Sequence, residues 1–270
     1  MIRVEPREHG ILVVTIDRPE RRNALDPQTV AELHAVIKSI DGDPKVRVVV
    51  LTAVGASFCA GADLKSLPSD FTNTGVTSAA VLLAAADSEL VRTLAAQELM
   101  ASLFERIHRM RQPVIAAVNG HAMGGGFALA LACDIRFAST AASFGAVFIR
   151  HGVSNCDMGT SYHLPRLVGA ARAAELMLTG RVFDAQEAYR MGLVFDVVPA
   201  EELLDAALSK AQEIAVHSPL AVWMTKETMW QTVDAPSLRH ALDLENRTQV
   251  MCTATGELCR SFDAFREGRD

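Results

Sequence analysis

A strand–helix–strand order near the start of the chain most narrows what it can fold into. Residues 2–4 and 11–16 are short β-branched runs that read as a hairpin. Asp26-Pro27 then supplies a helix N-cap with proline at the first helical position. Val30, Leu33, Val36, Ile37 and Ile40 recur at helical spacing, and Gly42 and Pro44 end that helix. Residues 46–52 form a β-branched run that reads as a buried strand. Such a crossover predicts an α/β fold with a parallel sheet.

The same grammar continues. Residues 66–82 are polar and read as a mobile loop, and residues 84–110 as a long helix ending at Gln112-Pro113. A strand at 114–118, a glycine-rich turn, a short helix at 127–133 and a strand at 135–138 follow. Residues 170–179 are helical with Gly180 as the stop, and Asp184 with Glu187 has the form of a capping box. A strand at 193–198 precedes Pro199. Beyond it the chain reads as helices at 201–216, 219–231 (capped by Ser218) and 237–255. The organisation predicted is a core of residues 1–199 and a helical C-terminal segment of 200–270, with no repeat of fixed period. The apolar faces of such a segment must pack on the core or on a neighbouring subunit.

Composition removes several functions. The 270 residues carry a net charge of -6 without a Lys/Arg cluster, which argues against a nucleic-acid partner. No apolar run approaches the roughly 20 residues that span a bilayer, and residues 1–10 lack a signal region. Cys59, Cys133, Cys156, Cys252 and Cys259 are widely spaced and read as reduced thiols of a cytoplasmic protein.

Two small-residue turns stand at the ends of predicted parallel strands, where ligands of α/β sheets gather. The first is Ser57-Phe58-Cys59-Ala60-Gly61-Ala62-Asp63-Leu64 and the second Asn119-Gly120-His121-Ala122-Met123-Gly124-Gly125-Gly126. Three successive glycines admit a ligand close to the backbone, and the helix behind them adds free N–H groups. The second turn lacks GxGxxG spacing and the P-loop lysine. Taken alone it also suits mere tight packing. Two converging N–H groups would form an oxyanion hole.

Together the two turns resemble those of the crotonase (enoyl-CoA hydratase/isomerase) family. The similarity runs from about residue 11 to about 230 and includes Asp17-Arg18-Pro19-Glu20-Arg21-Arg22-Asn23-Ala24-Leu25, Cys133-Asp134-Ile135-Arg136-Phe137-Ala138, Phe144-Gly145 and Leu164-Pro165-Arg166-Leu167-Val168-Gly169. The resemblance implies a crotonase-like spiral of β-β-α units with a helical C-terminal segment that makes trimers or hexamers. It implies backbone N–H groups of Ala62 and Gly125 on a thioester oxygen. It implies contacts to coenzyme A from Arg22, Ala24, Ala60, Ala62, Asp63, Leu64, Lys65 and Gly125. No cofactor and no metal is implied beyond the coenzyme A of the substrate, and the loop 66–82 with the helix after it shapes the acyl pocket.

The chain departs from its relatives at the proton-transfer positions. Ala128 and Phe148 stand where hydratases of the family carry glutamates, so the two-glutamate hydration mechanism does not carry over. One carboxylate remains. Asp157, in Asn155-Cys156-Asp157-Met158-Gly159-Thr160-Ser161-Tyr162, is similar in placement to an aspartate of dienoyl-CoA isomerases and to the nucleophilic aspartate of chlorobenzoyl-CoA dehalogenases. It is either a sole acid/base, a nucleophile, or the N-cap of the helix that follows. If catalytic, it would be desolvated by Phe148 and Met158. Weaker candidates are Asp87, Glu89 and Glu98 on the lid helix, His121, and Tyr162 as a pocket donor. His151 and His163 lack ligand spacing, and Asp134 suits a structural acceptor at a strand start. Three functions follow: an enoyl-CoA hydratase/isomerase-type enzyme of fatty acid metabolism with one carboxylate, an acyl-CoA-binding homologue without catalysis, or a dehalogenase-like hydrolase.

Overall fold

The computed structural model describes residues 1–63 and 88–266. The predicted loop 66–82, with Leu64, Lys65 and Asp87, lies outside the described residues. Strands β1 (Ile2–Pro6) and β2 (Ile11–Ile16) form the expected antiparallel hairpin. Helix α1 (Pro27–Asp41) follows, and the Asp26 side chain accepts the Thr29 N–H at its N-cap. Next come β3 (Val48–Ala53), β4 (Ser57–Cys59), α2 (Glu89–Arg109), β5 (Val114–Val118), β6 (His121–Met123), α3 (Gly125–Ala132), β7 (Ile135–Ser139) and β8 (Ser143–Gly145). A 3-10 turn at Phe148–His151 leads to α4 (Thr160–Val168) and α5 (Ala170–Thr179). The chain continues through β9 (Phe183–Asp184), α6 (Ala185–Arg190), β10 (Asp196–Val198), α7 (Leu203–Ala215), α8 (Pro219–Thr232), α9 (Leu238–Thr253) and α10 (Glu257–Arg266).

The strands form two sheets. The six-stranded sheet has the order β1-β2-β3-β5-β7-β10, parallel from β2 onward. The four-stranded sheet has the order β4-β6-β8-β9. Each β-β pair of the spiral thus splits between sheets: β3, β5 and β7 go to the first, β4, β6 and β8 to the second. The unit starts, at residues 48, 114 and 135, are unevenly spaced, which hides the repeat from a fixed-period reading. The second sheet corrects the sequence reading. Residues 57–59, 121–123 and 143–145 are strands of three residues, too short to show alternation, and two of them lie within what read as turns.

Alternation along the long strands buries both sheet faces. Val49 and Leu51 join the main core with Leu33, Ile37, Leu103 and Phe127, while Val48 and Val50 face the other way with Ile11, Val13, Ile115 and Ala117. Helix α7 closes that second face with Leu203, Ala207, Ala211 and Ala215. Three alanines at four-residue spacing let the helix lie close on the sheet. Residues 203–215 therefore complete the α/β core. Helix α8 is tied down by Lys226, whose Nζ lies 2.8 Å from Asp134 Oδ2 and donates to the Gln112 carbonyl at 3.0 Å. Helix α9 has no buried residue. No helix among the described residues is long and apolar enough to cross a membrane.

Candidate active site

The two glycine-bearing turns lie side by side. Gly61 has φ 91°, and a Cβ there would stand 2.8 Å from the Met123 carbonyl oxygen and 3.2 Å from the Gly125 nitrogen. Gly126 packs against the first turn so closely that a Cβ would fall 1.9 Å from the Cys59 carbonyl oxygen. A side chain at either position would push the turns apart. Leu25 fixes the first turn from the other side: its N–H donates to Gly61 O at 2.7 Å, and Asp63 N–H donates to Leu25 O at 2.9 Å. In such a parallel bridge the neighbours of Ala62 face Leu25, and the Ala62 N–H is directed away from it. Gly125 opens α3, behind Gly124 with φ 51° and ψ −116°. Its N–H belongs to the first helical turn and has no acceptor within the helix.

The segment before α1 is held by a buried network. Arg18 Nη2 lies 2.8 Å from Asp26 Oδ2 and 3.4 Å from Asp63 Oδ2, and Nη1 donates to Ala24 O at 2.7 Å. Asn23 Nδ2 donates to Ser57 O at 2.6 Å and Val54 O at 2.8 Å. Arg22 is exposed and left-handed (φ 53°), and its carbonyl accepts the Ala60 N–H at 3.1 Å. The structure thus brings Arg22, Ala24, Ala60, Ala62 and Asp63 together beside Gly125. Asp63 is buried with its carboxylate against Arg18, so its side chain braces the turn. The bracing role of Arg18 and Asn23 has no local sequence signal, because their partners lie up to 45 positions away.

Asp157 lies on another element, next to Met158, whose Sδ is close to Gly125. Buried Asn155 accepts the Ile149 N–H at 3.1 Å and donates to the Met177 carbonyl, tying the Phe148–His151 turn to the Asp157 loop. Met158 follows in a left-handed conformation (φ 49°), and its Sδ stands 3.3 Å from where a Cβ on Gly125 would be. Asp157 does not cap α4 with its side chain. The N-cap is Gly159, no side chain caps the helix, and only the Asp157 carbonyl accepts the Thr160 N–H, at 2.8 Å. The half-buried carboxylate instead accepts a hydrogen bond from Gln97 of α2. Burial raises the Asp157 pKa above the ordinary carboxylate value, partly offset by the Met158 N–H and Gln97. Gln97 has no sequence signal: it is one polar residue among several on a long helix.

Ala128 is fully buried in α3. The Phe148 ring lies over Gly124, with Cε1 3.5 Å from a Cβ placed there. Positions 128 and 148 thus offer apolar surface and no carboxylate. Tyr162 is not a pocket donor: its hydroxyl donates to Asp234 at 2.8 Å, beside the Arg166–Asp234 pair. His121 is exposed, with Nδ1 2.7 Å from Ser143 Oγ. Glu98 and His151 are exposed. His163 is buried among the rings of His108, Tyr162 and Trp230, and burial lowers its pKa to about 3. Asp134 accepts the Val114 N–H at the strand start, as its position suggests. No group of three or more metal-ligating side chains occurs among the described residues.

Comparison with known proteins gives the family of the chain. Residues 6–270 match the family described as enoyl-CoA hydratase/isomerase. A probable enoyl-CoA hydratase of Mycobacterium bovis is 40% identical over 250 residues, covering 93% of this chain and 84% of that protein. The crystal structure of an enoyl-CoA hydratase from Bacillus anthracis superposes with a TM-score of 0.87 at 34% identity, covering 99% of this chain and 96% of that one. That of a monofunctional enoyl CoA isomerase from M. smegmatis gives 0.72 at 35% identity, covering 89% and 97%. With its spiral core, its paired glycine turns and these relatives, the chain belongs to the enoyl-CoA hydratase/isomerase family.

Proposed function

We propose that the protein binds an acyl-CoA thioester, holds its enolate oxygen between the N–H groups of Ala62 and Gly125, and moves a proton with Asp157 alone. The observation that carries this reading is a juxtaposition. Gly61 lies against Gly125 from one side, and Met158, the neighbour of Asp157, touches Gly125 from another. The Asp157 carboxylate takes a proton from the α-carbon of a 3-enoyl thioester. The electron pair of that C–H bond becomes the enolate, whose oxygen the two N–H groups stabilise, each contributing roughly 10²–10³ in rate. The same carboxyl returns the proton to the γ-carbon, and the double bond moves into conjugation. Hydration needs a second group to activate water, and Ala128 and Phe148 cannot serve. Proton shuttling by one carboxylate therefore fits these residues better than hydration.

Arg22, Ala24, Ala60 and Asp63, with Leu64 and Lys65 beyond them, form the coenzyme A arm in this reading. The exposed Arg22 suits a phosphate. The enzyme acts as a trimer or a dimer of trimers, which the exposed Leu258, Phe262 and Phe265 of α10 support. Five free cysteines fit a cytoplasmic setting.

A turnover screen over 3-enoyl-, 2-enoyl-, dienoyl- and aryl-CoA esters, with Asp157→Asn alongside, tests the reading. Asp157→Asn is expected to lower kcat by roughly 10²–10⁴ and to leave coenzyme A ester binding intact by calorimetry. Unchanged turnover would falsify the role of Asp157. Binding without turnover of any ester by the wild type points to an acyl-CoA-binding homologue. An acyl or aryl mass adduct on Asp157 points to nucleophilic chemistry.

A further inference from the structure

Met158 carries a side chain in a conformation that favours glycine. Its φ is 49°, and Gly159 beside it has φ 82°. A left-handed residue with a Cβ meets steric resistance, so the surroundings must hold it there. The Met158 side chain is 7% exposed, with Sδ against Gly125. On its other flank Met158 lines a cavity of about 450 Å³ between α2 and α4, together with Ala101, Phe104, His108, Tyr162 and His163. Met158 thus borders both the Gly125 site and this cavity.

We propose that the cavity receives the far end of an uncharged acyl chain, alkyl or aryl, and that Met158 is the wall that sets how long a chain enters from the Gly125 side. The proposal depends on the thioester reading of Gly125. Two features of the lining choose the chemistry. Phe104, Ala101 and the rings of His108, Tyr162 and His163 offer apolar and aromatic surface. The formal charges among the described lining residues are Glu98 and Glu105, and no Lys or Arg accompanies them. Burial lowers the pKa values of both His108 and His163, so both rings are neutral near pH 7. A second carboxylate on the acyl group would meet two acidic side chains without a cation, whereas an alkyl or aryl end would bury apolar area. A methionine wall is compliant but fills space, so it limits chain length without closing the site rigidly.

Met158→Gly is the direct test, because glycine adopts this backbone freely while removing the wall. The turnover probes are the 3-enoyl esters 3-butenoyl-CoA, 3-decenoyl-CoA and 4-phenyl-3-butenoyl-CoA, and the binding probes are butyryl-CoA and decanoyl-CoA by calorimetry. In Met158→Gly the ratio of kcat/KM for the long or aryl ester to that for 3-butenoyl-CoA is expected to rise at least roughly tenfold. Decanoyl-CoA binding is expected to tighten relative to butyryl-CoA. Ala101→Phe in the same background refills the cavity from α2. It should reverse both gains. A chain-length ratio that stays put in turnover and binding alike overturns the proposal and leaves the thioester reading standing. Failure of the wild type to bind any of these esters overturns the thioester reading, and the proposal with it. 2-Decenedioyl-CoA, a 2-enoyl ester of equal length with a free carboxylate at its far end, is compared with 2-decenoyl-CoA by binding. It should gain nothing, and an equal gain overturns the charge selectivity.

Discussion

At the residue scale, the Asp157 carboxylate is governed by two opposing influences. Burial disfavours its charge, while the hydrogen bond from Gln97 and the Met158 N–H favour it. A base must be ionised to accept a proton, so its activity is present above its pKa and lost as pH falls through it. Gln97→Leu removes one stabiliser of the charged form and raises the pKa further. The acidic limb of the kcat/KM profile is then expected to move to higher pH, with little change in coenzyme A ester binding. A limb that stays in place, measured from about pH 4 to 8 with a well-turned-over ester, would show that Gln97 does not act through Asp157. The sequence led one to expect a desolvated Asp157 with a raised pKa, as burial makes it, but not its partner. Asp157 was visible as the one carboxylate left in its region, but a hydrogen bond between residues 97 and 157 has no local signature. Tyr162 teaches the converse: its place in the chain suggested the pocket, and Asp234, far along the chain, took its hydroxyl.

At the element scale, the site depends on two turns that pack backbone to backbone. Gly126 shows how little room remains, since a Cβ would sit 1.9 Å from the Cys59 carbonyl oxygen, a backbone atom that cannot swing aside. Gly126→Ala is expected to destabilise the fold by about 3 kcal/mol or more and to lower activity together with Tm. Gly152→Ala is the control. Its φ is 77° but nothing lies within 4 Å of a Cβ, so only the left-handed backbone is penalised, at about 1 kcal/mol. Equal losses of Tm in the two variants would argue that close packing of the turns does not matter. The glycine pattern was readable because glycine runs mark close approach. The identity of what they approach was not, because β4 and β6 are too short to show a period and pair only in the assembled sheet.

At the scale of the whole molecule, the C-terminal segment divides in two by what it covers. Helix α7 spends its alanine face on the sheet, whereas α9 and α10 leave Leu238, Val250, Leu258, Phe262 and Phe265 exposed. Apolar surface of this kind is stabilised by burial against another subunit. Phe262→Ser with Phe265→Ser is expected to shift the protein from a trimer or hexamer to a monomer in sedimentation velocity. A wild-type monomer, or an assembly unaffected by the double change, would sink the oligomer reading. What the chain determined by itself was local: the strand–helix–strand order, the Asp26 and Asp184 caps, the glycine turns and the lack of a carboxylate at Ala128 and Phe148. These follow from side-chain periodicity, φ preference and residue identity, which act over a few neighbours. The tertiary structure alone decided the second sheet, the seat of α7 on the first, the Phe148 ring over Gly124, and the meeting of Gln97, Asp157 and Met158 beside Gly125. Those contacts join residues tens of positions apart, and they exist only once the core that positions them has formed.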